Sequence, residues 1–526
     1  MNRRELLGIG SALAATLIAS PSRAQPSKSG TLRYVPASNL TFLDPYSTTA
    51  LITYEHAYCV FDTLFALDEN NEPRPQMVEA YNFSADGRVY EFQLRSGLLF
   101  HDLEPVRSAD CIASLKRWMT KDSFGQLIAK ILDGFETKDD RTFQVRLQMP
   151  FPNLVYALAK ATAFPTFILP ERLAATDPSK PITEMIGSGP FRFVEAEYQP
   201  GNQIVYEKFD RYVPRSERAS GLAGGKVAHF QRVEWRILPD PATALSALQT
   251  GEVDWLQVVQ PDLLPVLDGN DAFAFAVRDP LGGVRVMRFN HLTAPFNNVK
   301  MRRAVMLAVN QNDYISIASG GVPELGAPCY SAYTCALPNI APLSQVSQSP
   351  DLEQARRLVS EAGYNGEKVV VLNPIDVFGP TMGQLTKSVL ESIGLTVELL
   401  DLDIGTLLQR RTNRGPTSEG GWSLFHTFWN GQSMSNPVDN VCIRGQGEKG
   451  YAGWYRSDRM EALVADWVSA ESEAARAALL NETQKLAFEE VPTIFTGLYF
   501  DRMAYSRKIS DVLSAPVTPM WNVRPT

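Results

Sequence analysis

The sequence predicts an α/β protein built as two lobes, the first carrying an extra small α+β subdomain. The chain has 526 residues, 44% of them hydrophobic. That is more than one core usually serves, so two or more lobes are expected to share the apolar residues. From Lys368 to Arg411 strand and helix patterns alternate, which implies a mostly parallel, helix-covered sheet. From Tyr81 to Trp118 a hairpin pattern leads into an amphipathic helix, a unit that reads as a separate small layer. A leader is expected over 1–24 and a second α/β lobe over about 284–496.

The leader is read from Arg3-Arg4, the apolar stretch Leu6 to Ala19, and Ser22-Arg23-Ala24 before Gln25, the order of an export signal with a small-residue cleavage site. Arg-Arg-Glu-Leu-Leu fits a twin-arginine signal, with ordinary secretion as the alternative. The apolar stretch is shorter than the roughly 18 residues a membrane span needs. No cysteine precedes Cys59, so no lipid anchor is expected at the cleavage site.

Thr31 to Val35 reads as a strand, Leu43-Asp44-Pro45 as a break, and Leu51 to Leu64 as a helix by the spacing of Tyr54, Tyr58 and Phe61. Asp86-Gly87 supplies the hairpin turn before Tyr90, Phe92 and Leu94. Ser108 is the expected N-cap of the next helix, with Asp110 in its first turn and Cys111, Ile112, Leu115, Trp118 and Met119 on one face. Asp139 to Thr142 form a turn between Phe135 and the alternating Phe143, Val145 and Leu147. Asp240 caps a helix that Pro241 starts and Gly251 stops, ahead of a Val253–Trp255 strand. Further on come a strand at 284–290, a helix at 298–310, a strand at 368–372, a helix at 382–393 closed by Gly394, a strand at 397–400 and a helix at 404–411.

The net charge of −8 becomes two units more negative without the leader, which carries Arg3, Arg4 and Arg23 against Glu5. Such a surface disfavours polyanions, and no basic run with interleaved aromatics occurs, so no nucleic-acid partner is expected. Gly187-Ser188-Gly189 lacks the residue that a Gly-x-Ser-x-Gly nucleophile elbow has on each side of its Ser, and HExxH, Walker and Cys-x-x-Cys patterns are missing. The reading is therefore not an enzyme, with no cofactor. A carboxylate pair of glycosidase type stays open as an exported-hydrolase alternative. His56, His101, His229, His291 and His426 show no metal-ligand spacing. Of five cysteines, Cys59 and Cys111 read as buried thiols. Cys329 with Cys335 is the preferred disulfide, and Cys442 competes for either partner.

The wording of several segments resembles the solute-binding proteins of ABC importers, family 5, which includes dipeptide, oligopeptide and nickel receptors. The residues that carry it are Asp86-Gly87 through Arg95, Phe100-His101-Asp102-Leu103-Glu104-Pro105, Ile186 to Phe191, Gly251-Glu252-Val253-Asp254, Pro295-Phe296 through Asn310, Gly450 to Asp458 and Val491 to Phe495. Leu103 and Ala109 stand where the family wording has Gly and Glu. The resemblance implies a periplasmic binding protein of type II, cluster C-like, with a first lobe over 25–283, a small α+β subdomain inserted in it at about 68–187, a second lobe over 284–496 and a return to the first lobe over 497–526. Such a protein is a periplasmic, exported, soluble monomer that captures a small solute by lobe closure and delivers it to an inner-membrane ABC permease and its ATPase. A sensor docking a membrane receptor would use the same binding module.

The solute site is expected in the crevice between lobes, where aromatic walls remove water and a few polar groups orient the ligand. The strand Trp422 to Gly431 supplies His426, Thr427, Phe428, Trp429 and Asn430. In peptide-binding relatives the matching stretch carries an Asp that holds the peptide ammonium. Here that Asp is absent and Asn436-Pro437 replaces Asp-Pro, which speaks against peptide recognition of the usual kind. The aromatic wall suits a planar, sugar-like or otherwise weakly charged solute, and the expected cargo is a small peptide-like or other polar or aromatic organic molecule. By position in the family, Tyr54, His56, Asn373 and Asp376 are further expected contacts, and no metal is expected.

Overall fold

The computed structural model describes residues 30–526 apart from 163, 338–339, 341–342, 344–348 and 471. The leader expected over residues 1–24 lies outside the described residues. Two large sheets organise the rest. The first runs Phe191–Phe193, Gln203–Lys208, Arg232–Arg236, Thr31–Val35, Trp255–Leu256, Arg502–Ser506, Phe273–Val277. Thr31–Val35 lies in its middle and pairs in parallel with both neighbours. Leu32 and Tyr34, two residues apart and so on one face, are fully buried. The second sheet runs Gly326–Ala327, Thr493–Tyr499, Gly283–Phe289, Leu424–Asn430, Lys368–Pro374, Thr396–Leu402. The chain crosses between the sheets twice, after Val277 and after Tyr499.

A four-stranded antiparallel sheet of Val78–Phe83, Val89–Leu94, Thr142–Leu147 and Leu132–Thr137 forms beside the first sheet. Helix Ser108–Trp118 buries Cys111, Leu115 and Trp118 in the same core as Phe92, Phe143 and Val145. The helix cap differs from expectation. Arg107 is the N-cap residue and Asp110 accepts its backbone N–H at 2.8 Å. Ser108 instead donates to Asp139 O at 2.8 Å, tying the helix to the sheet turn.

The second sheet is mixed, not mostly parallel. Lys368–Pro374 runs parallel to Thr396–Leu402 and to Leu424–Asn430, whereas the remaining pairings are antiparallel. The strand-helix alternation covers only the parallel edge, because crossover helices are required between parallel strands alone. Helix Leu51–Val60 also stops short of Leu64. Asp62 leaves it for a short strand facing Ile168, where its carboxylate meets Lys226 at 2.7 Å with both side chains fully buried. The helix expected at 298–310 ends at Ala308, since Asn310 caps a following helix, Gln311–Ser319. The helix expected from Met382 begins at Ile375 and breaks at Gly379, whose φ is 70° and ψ 170°.

Gly187 and Gly189 pass against the end of helix Leu51–Val60. A Cβ on Gly187 would stand 2.1 Å from Val60 O, so only glycine allows this approach. Cys329 and Cys335 are joined as a disulfide, and Cys59, Cys111 and Cys442 are buried free thiols. Among the described residues no helix is long and apolar enough to cross a membrane. No group of three or more His, Cys, Asp or Glu among them is arranged to hold a metal ion.

Candidate binding site

Strand Leu424–Asn430 lies inside the second sheet between Gly283–Phe289 and Lys368–Pro374. Its partner Gly283–Phe289 sets Phe428 opposite Arg285, His426 opposite Met287 and Trp429 opposite Val284. Because side chains alternate, His426, Phe428 and Asn430 share a face with Arg285, while Thr427 and Trp429 share the other with Val284 and Val286. Pairing with Lys368–Pro374 lasts only from Val371–Leu424 to Leu372–Phe425. From His426 onward that edge of the strand lies outside the ladder, which frees its last residues for other contacts.

On the Trp429 face, Phe425 is buried against Trp422 with ring centroids 5.0 Å apart. Trp429 stands edge-on to Tyr451 at 5.4 Å, half-buried, and its indole N–H is buried without an acceptor. Thr427 hydrogen-bonds the Tyr451 hydroxyl. On the other face Phe428 is 43% exposed, an unusual position for a phenyl ring at the end of an interior strand. Its ring meets Phe378 edge-on at 6.1 Å. Asn430 uses its side-chain oxygen to cap the following turn, accepting from Ser433 N at 2.8 Å.

That turn reaches the first half of the chain. Gln432 Oε1 accepts from Ala161 N at 2.9 Å, and Asn436 Nδ2 lies 3.3 Å from Tyr156 Oη. Asp439 Oδ1 lies 3.3 Å from Lys160 Nζ. Gln432 Nε2 is buried with no acceptor. The end of the aromatic strand is therefore also where the two halves of the molecule touch.

The other expected contacts have partners of their own. His426 is buried, with Nε2 2.9 Å from Thr386 Oγ1. Burial, and Arg285 beside it, push its imidazole down to about 3, so it is neutral. Asn373 is fully buried and donates to Gly379 O at 3.0 Å and to Asp401 Oδ1 at 2.8 Å, which holds the helix break. Asp376 accepts from Ile404 N at 3.0 and 3.1 Å, the first N–H of helix Ile404–Arg410, whose N-cap is Asp403. Tyr54 is buried, its hydroxyl donating to Thr48 O at 3.1 Å. His56 is fully buried with Nδ1 2.9 Å from Tyr206 Oη, and burial lowers its imidazole to about 3. The strand end thus gathers Thr427, Phe428, Trp429 and Asn430. Asn373 and Asp376 are bonded within their own loop and helix start, His426 on the Phe428 face is bonded to Thr386, and Tyr54 and His56 lie among the first half's buried residues.

Compared with models of protein families, residues 72–445 match the bacterial extracellular solute-binding proteins, family 5 middle. The chain belongs to this family. A probable peptide ABC transporter periplasmic-binding protein of Sinorhizobium fredii is 37% identical, covering 100% of this chain and 99% of that protein. A glutathione-binding protein of Pectobacterium atrosepticum is 26% identical over 98% of this chain and 97% of its own length. Two solved structures share the fold, each with a TM-score of 0.80 and covering 94% of this chain. One is the binding protein AgaA of A. tumefaciens R10 in complex with agropinic acid, 21% identical over 99% of that chain. The other is a dipeptide-binding protein of Pseudoalteromonas sp. SM9913 in complex with Met-Leu, 17% identical over 100% of that chain. As a family 5 receptor this protein is a substrate-binding component of an ABC importer of two-lobed type II fold, not an enzyme. Proteins of this kind are extracellular or periplasmic and work with a membrane permease and its ATPase.

Four residues that the structure brings to this strand were not singled out from sequence: Arg285 opposite Phe428, Phe378 against the Phe428 ring, Tyr499 beside Arg285, and Gln432 in the following turn. Arg285 did leave a signal, as a charge set between Val284 and Val286 in an apolar strand. Gln432 left none, because its contact with Ala161 joins residues far apart in sequence.

Proposed function

We propose that the receptor holds a small organic solute, peptide-like or otherwise polar and aromatic, at the end of strand Leu424–Asn430, with Thr427, Phe428, Trp429 and Asn430 as its contacts. The exported monomer closes its lobes on the solute and delivers it to an inner-membrane permease driven by its ATPase. The carrying observation is the pairing of an exposed Phe428 with a half-buried Trp429 whose indole N–H has no acceptor. These neighbours point to opposite faces at the strand end, beside the contacts of Gln432 with Ala161 and of Asn436 with Tyr156, so a solute lying across the strand end would meet both. An apolar wall and one unsatisfied donor are what a crevice offers a solute that brings its own acceptor. The names of relatives, a peptide receptor and a glutathione receptor among them, support a peptide-sized solute. From Phe428 to Val438 there is no acidic side chain, and Asp439 is held by Lys160 and Asn436. A free α-ammonium therefore has no waiting carboxylate in this turn.

Native mass spectrometry of protein purified without refolding tests the reading. A small molecule is expected to travel with the wild type and to be lost from Trp429→Ala at the same protein concentration. Full retention by Trp429→Ala would remove the strand end from the site.

A further inference from the structure

The strand opposite Phe428 carries a charge that the protein does not neutralise. Arg285 is half-buried on Gly283–Phe289. Its guanidinium carbon lies 4.9 Å from the ring centre of Phe378 and 4.5 Å from that of Tyr499. No carboxylate among the described residues lies within ion-pair distance of it, and no side-chain hydrogen bond joins it to the protein. Other enclosed arginines differ. Arg117 pairs with Asp44 at 3.1 Å, and Arg278 with Asp501 at 3.2 Å. Arg288, three residues on in the same strand, donates to Cys442 O at 2.8 Å, to Thr493 Oγ1 at 2.9 Å and to Ala452 O at 3.0 Å.

We infer that Arg285 is the anchor for a carboxylate of the solute, so that the receptor selects anionic molecules. The inference rests on capture at this strand end and adds the charge class of the cargo. It revises the expectation of a weakly charged solute, because the missing acidic anchor is accompanied by an unpaired cation. Two rings hold the guanidinium plane, so little rotamer freedom is left to lose on binding, and its five N–H donors match a carboxylate in two parallel bonds. The donors are not among the buried atoms that lack a partner, so they keep some access to solvent. Asp501, the acidic group that acts on Arg285, is already engaged by Arg278. His426 behind it is neutral and bonded to Thr386. Burial disfavours the guanidinium charge, and a bound carboxylate would relieve that cost.

A thermal-shift and calorimetry panel tests it. Glutathione, di- and tripeptides and N-acylated amino acids are each assayed beside the C-terminal amide or ester of the same molecule. The wild type is expected to be stabilised by free acids, with the matched amides and esters binding about tenfold to a hundredfold more weakly. Arg285→Gln is expected to lose that preference, and Arg285→Lys to regain part of it. Trp429→Ala is expected to weaken acids and esters alike. Amides that bind wild type as tightly as acids would overturn the inference, as would Arg285→Gln within threefold of wild type for the best acid. A panel in which no acid raises the melting temperature counts against it equally. Failure of the charge class alone would show as a neutral solute co-purifying with both wild type and Arg285→Gln. Failure of capture itself would show as no co-purified molecule and no binding by any compound.

Discussion

Arg278 and Asp501 face each other where the chain passes between its two sheets. Arg278 follows Val277, the last residue of its strand in the first sheet, and Asp501 follows the Thr493–Tyr499 strand of the second. The guanidinium lies 3.2 Å from the carboxylate, and Arg278 N donates to Asp501 O at 2.9 Å. Side chain and backbone therefore join the two crossings into one ribbon. Arg278 is almost fully buried and Asp501 partly exposed, so removing the acid strands a charge that has little water. Asp501→Asn is expected to cost about 1–3 kcal/mol in urea unfolding. Under the proposed closure of the lobes on the solute, the variant is also expected to reduce solute affinity, since these crossings link the two sheets. Unchanged stability would show that the backbone bond alone holds the ribbon.

Glu55 gives the receptor a pH-dependent stability. Its carboxyl is buried in helix Leu51–Val60, accepts from Gln257 Nε2 and from Thr518 N, and leaves Oε2 without a partner. Burial pushes it up to about 7, against the opposing pull of Arg278, Thr518 and Gln257. The folded state therefore keeps a proton that the unfolded chain releases near its ordinary value of 4.5. The resulting stability is fully present below pH 4.5 and is lost as pH rises to about 7. Glu55→Gln keeps the accepting oxygen and removes the titration. Melting temperatures of the two proteins are expected to agree near pH 5. By pH 8 the variant should be the more stable by on the order of 1–3 kcal/mol, and parallel curves would mean that Glu55 does not titrate in this range.

What the sequence displays and what it conceals follow from how local each cause is. Helix Pro241–Thr250 appears with its expected start and stop because Asp240 accepts from Thr243 N at 2.7 Å and Gly251 takes φ 75°. Both causes lie within a few residues. The Phe428–Trp429–Asn430 strand end was legible for the same reason, as aromatic residues running into a glycine. Arg285 was not legible as a site residue, since its meaning depends on Phe378 and Tyr499, about 90 and 210 residues away in sequence. Asp376 reads from sequence as a ligand contact at a strand end; its bond from Ile404 N, which the parallel pairing of Lys368–Pro374 with Thr396–Leu402 brings beside it, is not legible there.

Leu103 departs from the family wording at a place where the backbone explains the departure's cost. Its φ is 71°, the left-handed region, and its side chain is 59% exposed. A Cβ in this conformation costs roughly 1–2 kcal/mol, and exposed leucine recovers little of it by packing. Leu103→Gly is expected to stabilise the protein by about 1 kcal/mol in urea unfolding, after the greater entropy of an unfolded glycine is subtracted. Solute affinity should not change, because the turn belongs to the small subdomain. A destabilised variant would indicate that the leucine makes contacts that outweigh its strain.

Lys160, Asp122 and Asp439 bind the two halves together beside the proposed site. Lys160 Nζ lies 2.5 Å from Asp122 and 3.3 Å from Asp439, and all three side chains are buried. Asp439 also accepts from Asn436 Nδ2 at 2.9 Å, so it sits in the turn that follows the aromatic strand. Asp439→Asn leaves Lys160 its bonds to Asp122 and Thr162 and removes only the charge reaching across the seam. The fold should therefore survive while the closed arrangement loses part of its advantage over an open one. With one acid gone, the Asp122 carboxyl, raised to about 6 mainly by burial and also by Asp439, is expected to fall. Small-angle scattering of the solute-free variant should give a larger radius of gyration than wild type, and affinity for the co-purifying solute should drop about threefold to tenfold. An unchanged radius together with unchanged affinity would show that this contact forms equally in open and closed states and takes no part in closure.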